Sequence, residues 1–251
     1  MNRFYFLSVI VFLVSCSKDT TVNQQQDDPC KRIIEVQDYH PYDNPTYQTT
    51  ALLTYDDQGR VKSVKGELQN ESTYTYYSDR IELKGKDIYG TDISQVYYLD
   101  NMGRITRTKA YDYDFTYDAN GYLISYKQPY GNNDQILGFN EYQLRYENGN
   151  LIEVSTDDPN VSRKTVTLEY SVEENQDLIG YNSPLYLSEI IQDRNTFFLI
   201  KGGFFGKTSK NLLKSLDFHN GFPAGEIRYI YDDKGRITEM ENGYRFNYQC
   251  P

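Results

Sequence analysis

The chain has 251 residues, with 36 Asp and Glu against 26 Lys and Arg and a formal net charge of −10. A body this acidic is a poor partner for nucleic acid or for an anionic lipid face. With 26 Tyr, 12 Phe and no Trp, its apolar payload is carried by rings with a polar tip, which suit a pleated, half-buried sheet.

The first residues read as an export signal. Asn2 and Arg3 precede an apolar run from Phe4 to Val14 that is too short to span a bilayer. It ends in Leu13-Val14-Ser15-Cys16, which resembles the lipobox of bacterial lipoproteins. The resemblance implies that residues 1–15 are removed and that Cys16 is acylated; an ordinary cleaved signal containing a Cys is the alternative. Residues 16–29 are polar and Gln-rich, bury too little to order themselves and read as a tether. Residues 30–251 then form a single domain. The expected location is the cell envelope, lipid-anchored and at the outer membrane, with the periplasmic or surface face left open. Two cysteines remain, Cys30 after the tether and Cys250 next to last. An even pair in an oxidising compartment suggests a disulfide joining the first strand to the last, with two separate thiols as the alternative.

From Arg32 onward, short runs rich in Tyr, Val, Ile and Thr alternate with turn signals. Strands are expected at 32–36, 49–55, 60–68, 73–77, 80–86, 93–99, 104–111, 115–117, 123–126, 141–146, 150–155 and 164–170, resuming at 214–218, 226–231, 236–240 and 244–250. Ile81 and Leu83 share one face against Glu82 and Lys84, so one side of the sheet is wetter than the other.

The turns repeat one phrase. Tyr55-Asp56-Asp57-Gln58-Gly59-Arg60-Val61 recurs around Asp100 and Gly103, at Tyr117-Asp118-Ala119-Asn120-Gly121, and at Tyr231-Asp232-Asp233-Lys234-Gly235. The Asp accepts from backbone N–H groups two residues on, and the Gly supplies the positive φ that closes the turn. Tighter Asn-Gly turns are expected at Asn148-Gly149 and Asn242-Gly243, and Tyr77-Ser78-Asp79-Arg80 is a Gly-free copy. Uneven spacing argues for consecutive hairpins of different lengths, a β-meander. The repeat resembles the Tyr-Asp repeats of Rhs-type shell proteins over the turns alone.

Between Ser171 and Asp217 the pattern breaks. Asn182-Ser183-Pro184 reads as a cap followed by Pro at the first helical position, and Leu187, Ile190 and Ile191 give a helical stripe, so one short helix is expected near 184–192. Then comes Gly202-Gly203-Phe204-Phe205-Gly206-Lys207-Thr208. As a P-loop it fails on spacing, since Gly202 leaves three residues before Gly206-Lys207-Thr208 where the pattern needs four. Either Phe204 and Phe205 plug one end of the sheet with Lys207 and Lys210 exposed, or Phe204, Phe205 and Lys207 line a ligand mouth. Gly203 to Lys207 with Ser209-Lys210-Asn211-Leu212, followed by Tyr229 to Arg236, resembles a family of predicted Gram-negative lipoproteins of unknown function with a porin-like fold. The resemblance implies an antiparallel sheet curled towards a barrel and implies no activity.

Catalytic and metal constellations are thin. His40 and His219 are the only histidines and have no partner at ligand spacing, so neither a metal nor a cofactor is implied. Asp112 and Asp114 flank Tyr113, and among 36 acids a chance pair explains them better than a glycosidase dyad. A transmembrane barrel would need longer strands with an apolar lipid-facing side. The expectation is therefore an all-β meander of about 14 to 16 strands in a large barrel-like sheet. Its role is expected to be a non-enzymatic binding module for a glycan or lipid fragment. The alternatives are an interaction subunit of an envelope complex and, less favoured, a carboxylate-dependent hydrolase.

Overall fold

The computed structural model describes residues 29–39, 48–66, 69–86, 90–109, 112–132, 135–156, 165–176, 183, 198–219, 225–241 and 243–250. The expected signal segment, Cys16, most of the expected tether, His40, the helix expected at 184–192 and Asn242 of the turn expected at Asn242-Gly243 lie outside the described residues.

Among the described residues, seventeen antiparallel strands make one sheet. They are β1 (Ile33–Tyr39), β2 (Gln48–Tyr55), β3 (Val61–Gly66), β4 (Gln69–Tyr76), β5 (Arg80–Lys86) and β6 (Asp92–Leu99). There follow β7 (Ile105–Thr108), β8 (Asp114–Tyr117), β9 (Leu123–Asn132), β10 (Gln135–Glu147), β11 (Asn150–Thr156) and β12 (Thr165–Glu174). The last five are β13 (Asn211–Asp217), β14 (Gly225–Glu226), β15 (Tyr229–Tyr231), β16 (Ile237–Met240) and β17 (Tyr244–Tyr248). Each strand from β1 to β13 pairs with the next, β15 pairs with β16 and β16 with β17, and β17 pairs with β1. Among the described residues the sheet is not closed, because β14 pairs with β13 and β15 with β16 but no ladder joins β14 to β15. There the chain itself crosses the gap: Ile227 N–H donates to the Lys214 carbonyl at 2.8 Å and Glu241 N–H to the Arg228 carbonyl at 3.0 Å.

Alternation decides what lies inside. Ile81 and Leu83 are buried while Lys84 is exposed, and Val166 and Leu168 of β12 are buried against exposed Glu169. Their inward side chains join Val36, Val64, Tyr97, Ile105, Leu123, Tyr126, Leu151, Leu216, Ile237 and Phe246 in one contiguous core. The outer face is laced with ion pairs such as Arg80–Glu82, Lys86–Asp92, Arg145–Glu153 and Arg245–Glu239. These are the residues of a wetted surface, not of a lipid-facing band.

The repeated phrase builds one joint many times. At Asp56, Asp100 and Asp232, carboxylate Oδ1 accepts from the backbone N–H groups two and four residues on, at 2.9 to 3.0 Å. Oδ2 accepts from the Nε of Arg60, Arg104 or Arg236 at 2.7 to 2.8 Å. Gly59, Gly103, Gly121 and Gly235 have φ between 73° and 91°, where a side chain would be strained. Asn148 and Gly149 are both at positive φ, the geometry of a two-residue hairpin turn.

Candidate functional site

Because the strands alternate in direction, these turns all lie at one end of the sheet. The segment after β12 closes that end. Phe205 is buried against Phe115, with ring centroids 5.3 Å apart, and Phe204 stacks on Tyr76 at 5.6 Å. Backbone bonds tie the segment to the turns: Ile105 N–H to Phe204 O at 2.7 Å, Lys207 N–H to Gly121 O and Lys210 N–H to Gly149 O, each at 2.9 Å. Gly206 is required by close approach as well as by its φ of 76°, since a Cβ there would stand 2.3 Å from the Gly121 carbonyl. Ser209, also buried, donates to or accepts from the Tyr170 hydroxyl at 3.1 Å and receives Leu151 N–H. Lys207 and Lys210 stay exposed, the former with its ammonium 5.4 Å from the centroid of the Tyr122 ring. Phe204 and Phe205 thus serve as a plug whose rings are spent on the interior.

Cys30 and Cys250 are disulfide-bonded at this same end, with Cα atoms 4.6 Å apart. Arg236 Nη1 donates to the carbonyls of both, at 3.0 and 2.6 Å. The start of the described chain therefore leaves from the plugged end.

The opposite end is shaped by the hairpin β9–β10. Ladder partners reach only to Lys127 on the β8 side and Tyr142 on the β11 side. Beyond them, among the described residues, the ribbon runs on alone for about 20 Å. Its two faces differ. Tyr142 opposite Tyr126, Asn140 opposite Gln128 and Gly138 opposite Tyr130 continue the core-facing side, while Glu141 opposite Lys127, Phe139 opposite Pro129 and Ile136 opposite Gly131 form the other. Tyr126 stacks between Phe115 and Tyr142, at 5.3 and 5.5 Å, so a column of rings runs from the plug up to the base of the ribbon. Tyr130, Ile136, Leu137 and Phe139 are all exposed large hydrophobic residues. Pro129 removes a donor from one free edge and a bulge at Leu137 disrupts the other, two devices that discourage another strand from adding there.

The acidic and histidine candidates do not converge. Asp112, at φ 48°, and Asp114 are both exposed. His219 bonds Thr167 at 3.1 Å and pairs with Asp217 at 3.4 Å on an exposed surface. Among the described residues no group of three or more His, Cys, Asp or Glu is placed to hold a metal. Sequence reasoning missed the ribbon, which carries no turn phrase or clean alternation.

The single antiparallel meander, with its core on the inner side, is a porin-like fold by its likeness to solved structures. A porin-like protein from Bacteroides uniformis ATCC 8492 superposes with a TM-score of 0.63 at 15% identity, covering 88% of this chain and 98% of that one. A second, from Bacteroides vulgatus ATCC 8482, gives 0.57 at 14% identity, covering 86% and 98%. No family model matches the chain, and no curated protein matches it in sequence. At such identity the likeness establishes the fold and no activity.

Proposed function

We propose that the protein is a non-enzymatic recognition module of the cell envelope, held at a membrane by lipid on Cys16, with the β9–β10 ribbon as its recognition element. The observation that carries this is the ribbon itself: it outruns its neighbours and exposes Tyr130, Ile136, Leu137 and Phe139, whereas inward side chains fill the sheet. A glycan or lipid fragment is then met at the ribbon end, not at Phe204 to Lys207. Lipidation is supported by the Leu13-Val14-Ser15-Cys16 sequence. The described chain begins at the plugged end, the end of the sheet opposite the ribbon. A second reading, an interaction subunit of an envelope assembly, is favoured by the other ribbon face, where Ile136 and Phe139 are exposed together beside Pro129.

The test joins Lys127 to Glu141 through an Asn-Gly turn in the full chain and compares envelope material retained by both proteins in native mass spectrometry. Loss of a retained component at an unchanged melting temperature is expected. Equal retention by both proteins would overturn the assignment of the ribbon; if the shortened chain fails to fold, Tyr130→Ala and Phe139→Ser carry the same comparison. Separately, Cys16→Ala should abolish incorporation of labelled palmitate and release the body from the membrane fraction.

A further inference from the structure

The core-facing side of the ribbon has a chemistry of its own. Tyr130 lies flat across its cross-strand neighbour: a Cβ at Gly138 would stand 2.6 Å from the Tyr130 hydroxyl oxygen and 2.7 Å from the adjoining ring carbon. Glycine at 138 therefore lets one ring face rest on backbone while the side chain stays 39% exposed. One step nearer the body, Gln128 and Asn140 stand directly opposite each other and are half-buried. The next step is Tyr142, half-buried, opposite Tyr126. Ring, amide pair and ring thus follow one another up a single face, with steps of about 7 Å.

Two further facts narrow the ligand. The Asn140 Oδ1 is covered and has no hydrogen-bond partner, a costly state for a buried amide. Its terminal torsion is soft, so a small rotation presents that oxygen to a donor. Charge is the second fact. In a protein of net charge −10, residues 128–140 contain one residue among Asp, Glu, Lys and Arg, Asp134, and the charges at the base, Lys127 and Glu141, neutralise each other at 3.5 Å. A charged ligand would find no counter-charge on this face. A lipid chain would leave both amides unpaired. What matches is a neutral molecule with flat C–H faces for the rings and hydroxyls that both donate to and accept from amides.

We infer that the face formed by Tyr130, Gln128, Asn140 and Tyr142 binds a neutral glycan, its pyranose rings stacking on the Tyr faces and its hydroxyls pairing with the two amides. This rests on the ribbon being the recognition element, and it names the ligand class of that site.

The test is affinity electrophoresis of the detergent-solubilised full protein through gels containing starch, xyloglucan, galactomannan or mixed-linkage β-glucan, with anionic polygalacturonate and neutral phosphatidylcholine vesicles as comparisons. The expected result is retardation by at least one neutral polysaccharide and by neither comparison. Tyr130→Ala and Asn140→Leu should each weaken it by about tenfold or more, roughly 1.4 kcal/mol, at an unchanged melting temperature. Phe139→Ser, on the opposite face, should leave it intact. Failure of all four polysaccharides to retard the protein, binding to vesicles instead, or binding lost in Phe139→Ser and kept in Tyr130→Ala would each overturn the inference. If no polysaccharide binds but the shortened ribbon still loses an envelope component, the glycan assignment falls and the recognition element stands.

Discussion

Tyr76, Tyr117 and Tyr248 show what the Arg that follows Gly in three copies of the repeated phrase does in the folded sheet. Each of these rings donates its hydroxyl to the carbonyl of an aliphatic residue that opens the preceding strand: Val61, Ile105 and Ile237, all at 2.7 Å. The Arg just before that residue lies over the same ring, at 4.1, 4.5 and 4.5 Å. Tyr55, Tyr170 and Tyr229 make the same bond to Ile33, Leu151 and Leu213. So at Tyr55-Asp56 and Tyr117-Asp118 the Tyr stitches the strand backwards while the Asp closes the turn ahead, whereas Tyr231, before Asp232, bonds the Glu173 carboxylate instead. Removing one hydroxyl leaves a carbonyl without its donor, and Tyr76→Phe or Tyr248→Phe should cost about 1 to 2 kcal/mol in urea unfolding. Burial also pushes the phenol pKa of Tyr76, Tyr117, Tyr146, Tyr170, Tyr229 and Tyr248 well above the usual range. A raised phenol pKa contributes stability that is complete below the unfolded value near pH 10 and is lost as pH rises towards the folded value. Cooperative unfolding should therefore accompany the appearance of phenolate absorbance above about pH 10; gradual ionisation of a body that stays folded would contradict it. The turn carboxylates act at the other limit. Burial disfavours the charged Asp56 and Asp100, but hydrogen bonds from Arg60, Arg104 and nearby backbone N–H groups outweigh it and lower both pKa values. Their contribution is present above the ordinary Asp range near pH 4 and lost as pH falls through the depressed values.

At the scale of elements, the plug and the ribbon answer differently to mutation. Phe205 sits in the core at 2% exposure, so Phe205→Ala should cost about 3 to 5 kcal/mol of stability and fold with difficulty. Gly235→Ala, forced to a φ of 73° with open space around it, should cost only about 1 kcal/mol. Chemical denaturation of the two variants separates a packing defect from a backbone one. Most elements were legible in the sequence because each turn phrase marks where a strand stops, and alternation such as Ile81 and Leu83 marks which side is inside. The ribbon was not legible, because Pro129, Gly131 and Gly138 and the bulge at Leu137 erase the period of two over residues 127–140. The Tyr stitches were hidden for another reason. Donor and acceptor lie 11 to 22 residues apart, and only the register of a hairpin brings them together.

For the whole molecule, the decisive arrangement is that the ends of the described chain meet beside the plug. β1 lies between β2 and β17, Gln249 N–H donates to the Arg32 carbonyl at 2.9 Å, and the Cys30–Cys250 disulfide lies just outside both strands. Without it, separating β1 from β17 would open the sheet along its longest-range ladder, between residues more than 200 apart in sequence. A link across 220 residues removes loop entropy from the unfolded chain worth about 5 kcal/mol in the chain-entropy model. Reduction, or Cys30→Ser with Cys250→Ser, should therefore lower the denaturant midpoint substantially while leaving the far-ultraviolet spectrum of the folded state unchanged. On the proposed anchoring through Cys16, the same bond sets how the body takes load. Pull along the tether reaches Cys30 and passes at once into both β1 and the far end of β17, so the strain is shared by two strands held in register by Arg236. Stretching the protein by Cys16 should give a lower unfolding force after reduction, when β1 peels away alone; an unchanged force would mean that the ladder β1–β17, and not the disulfide, bears the load.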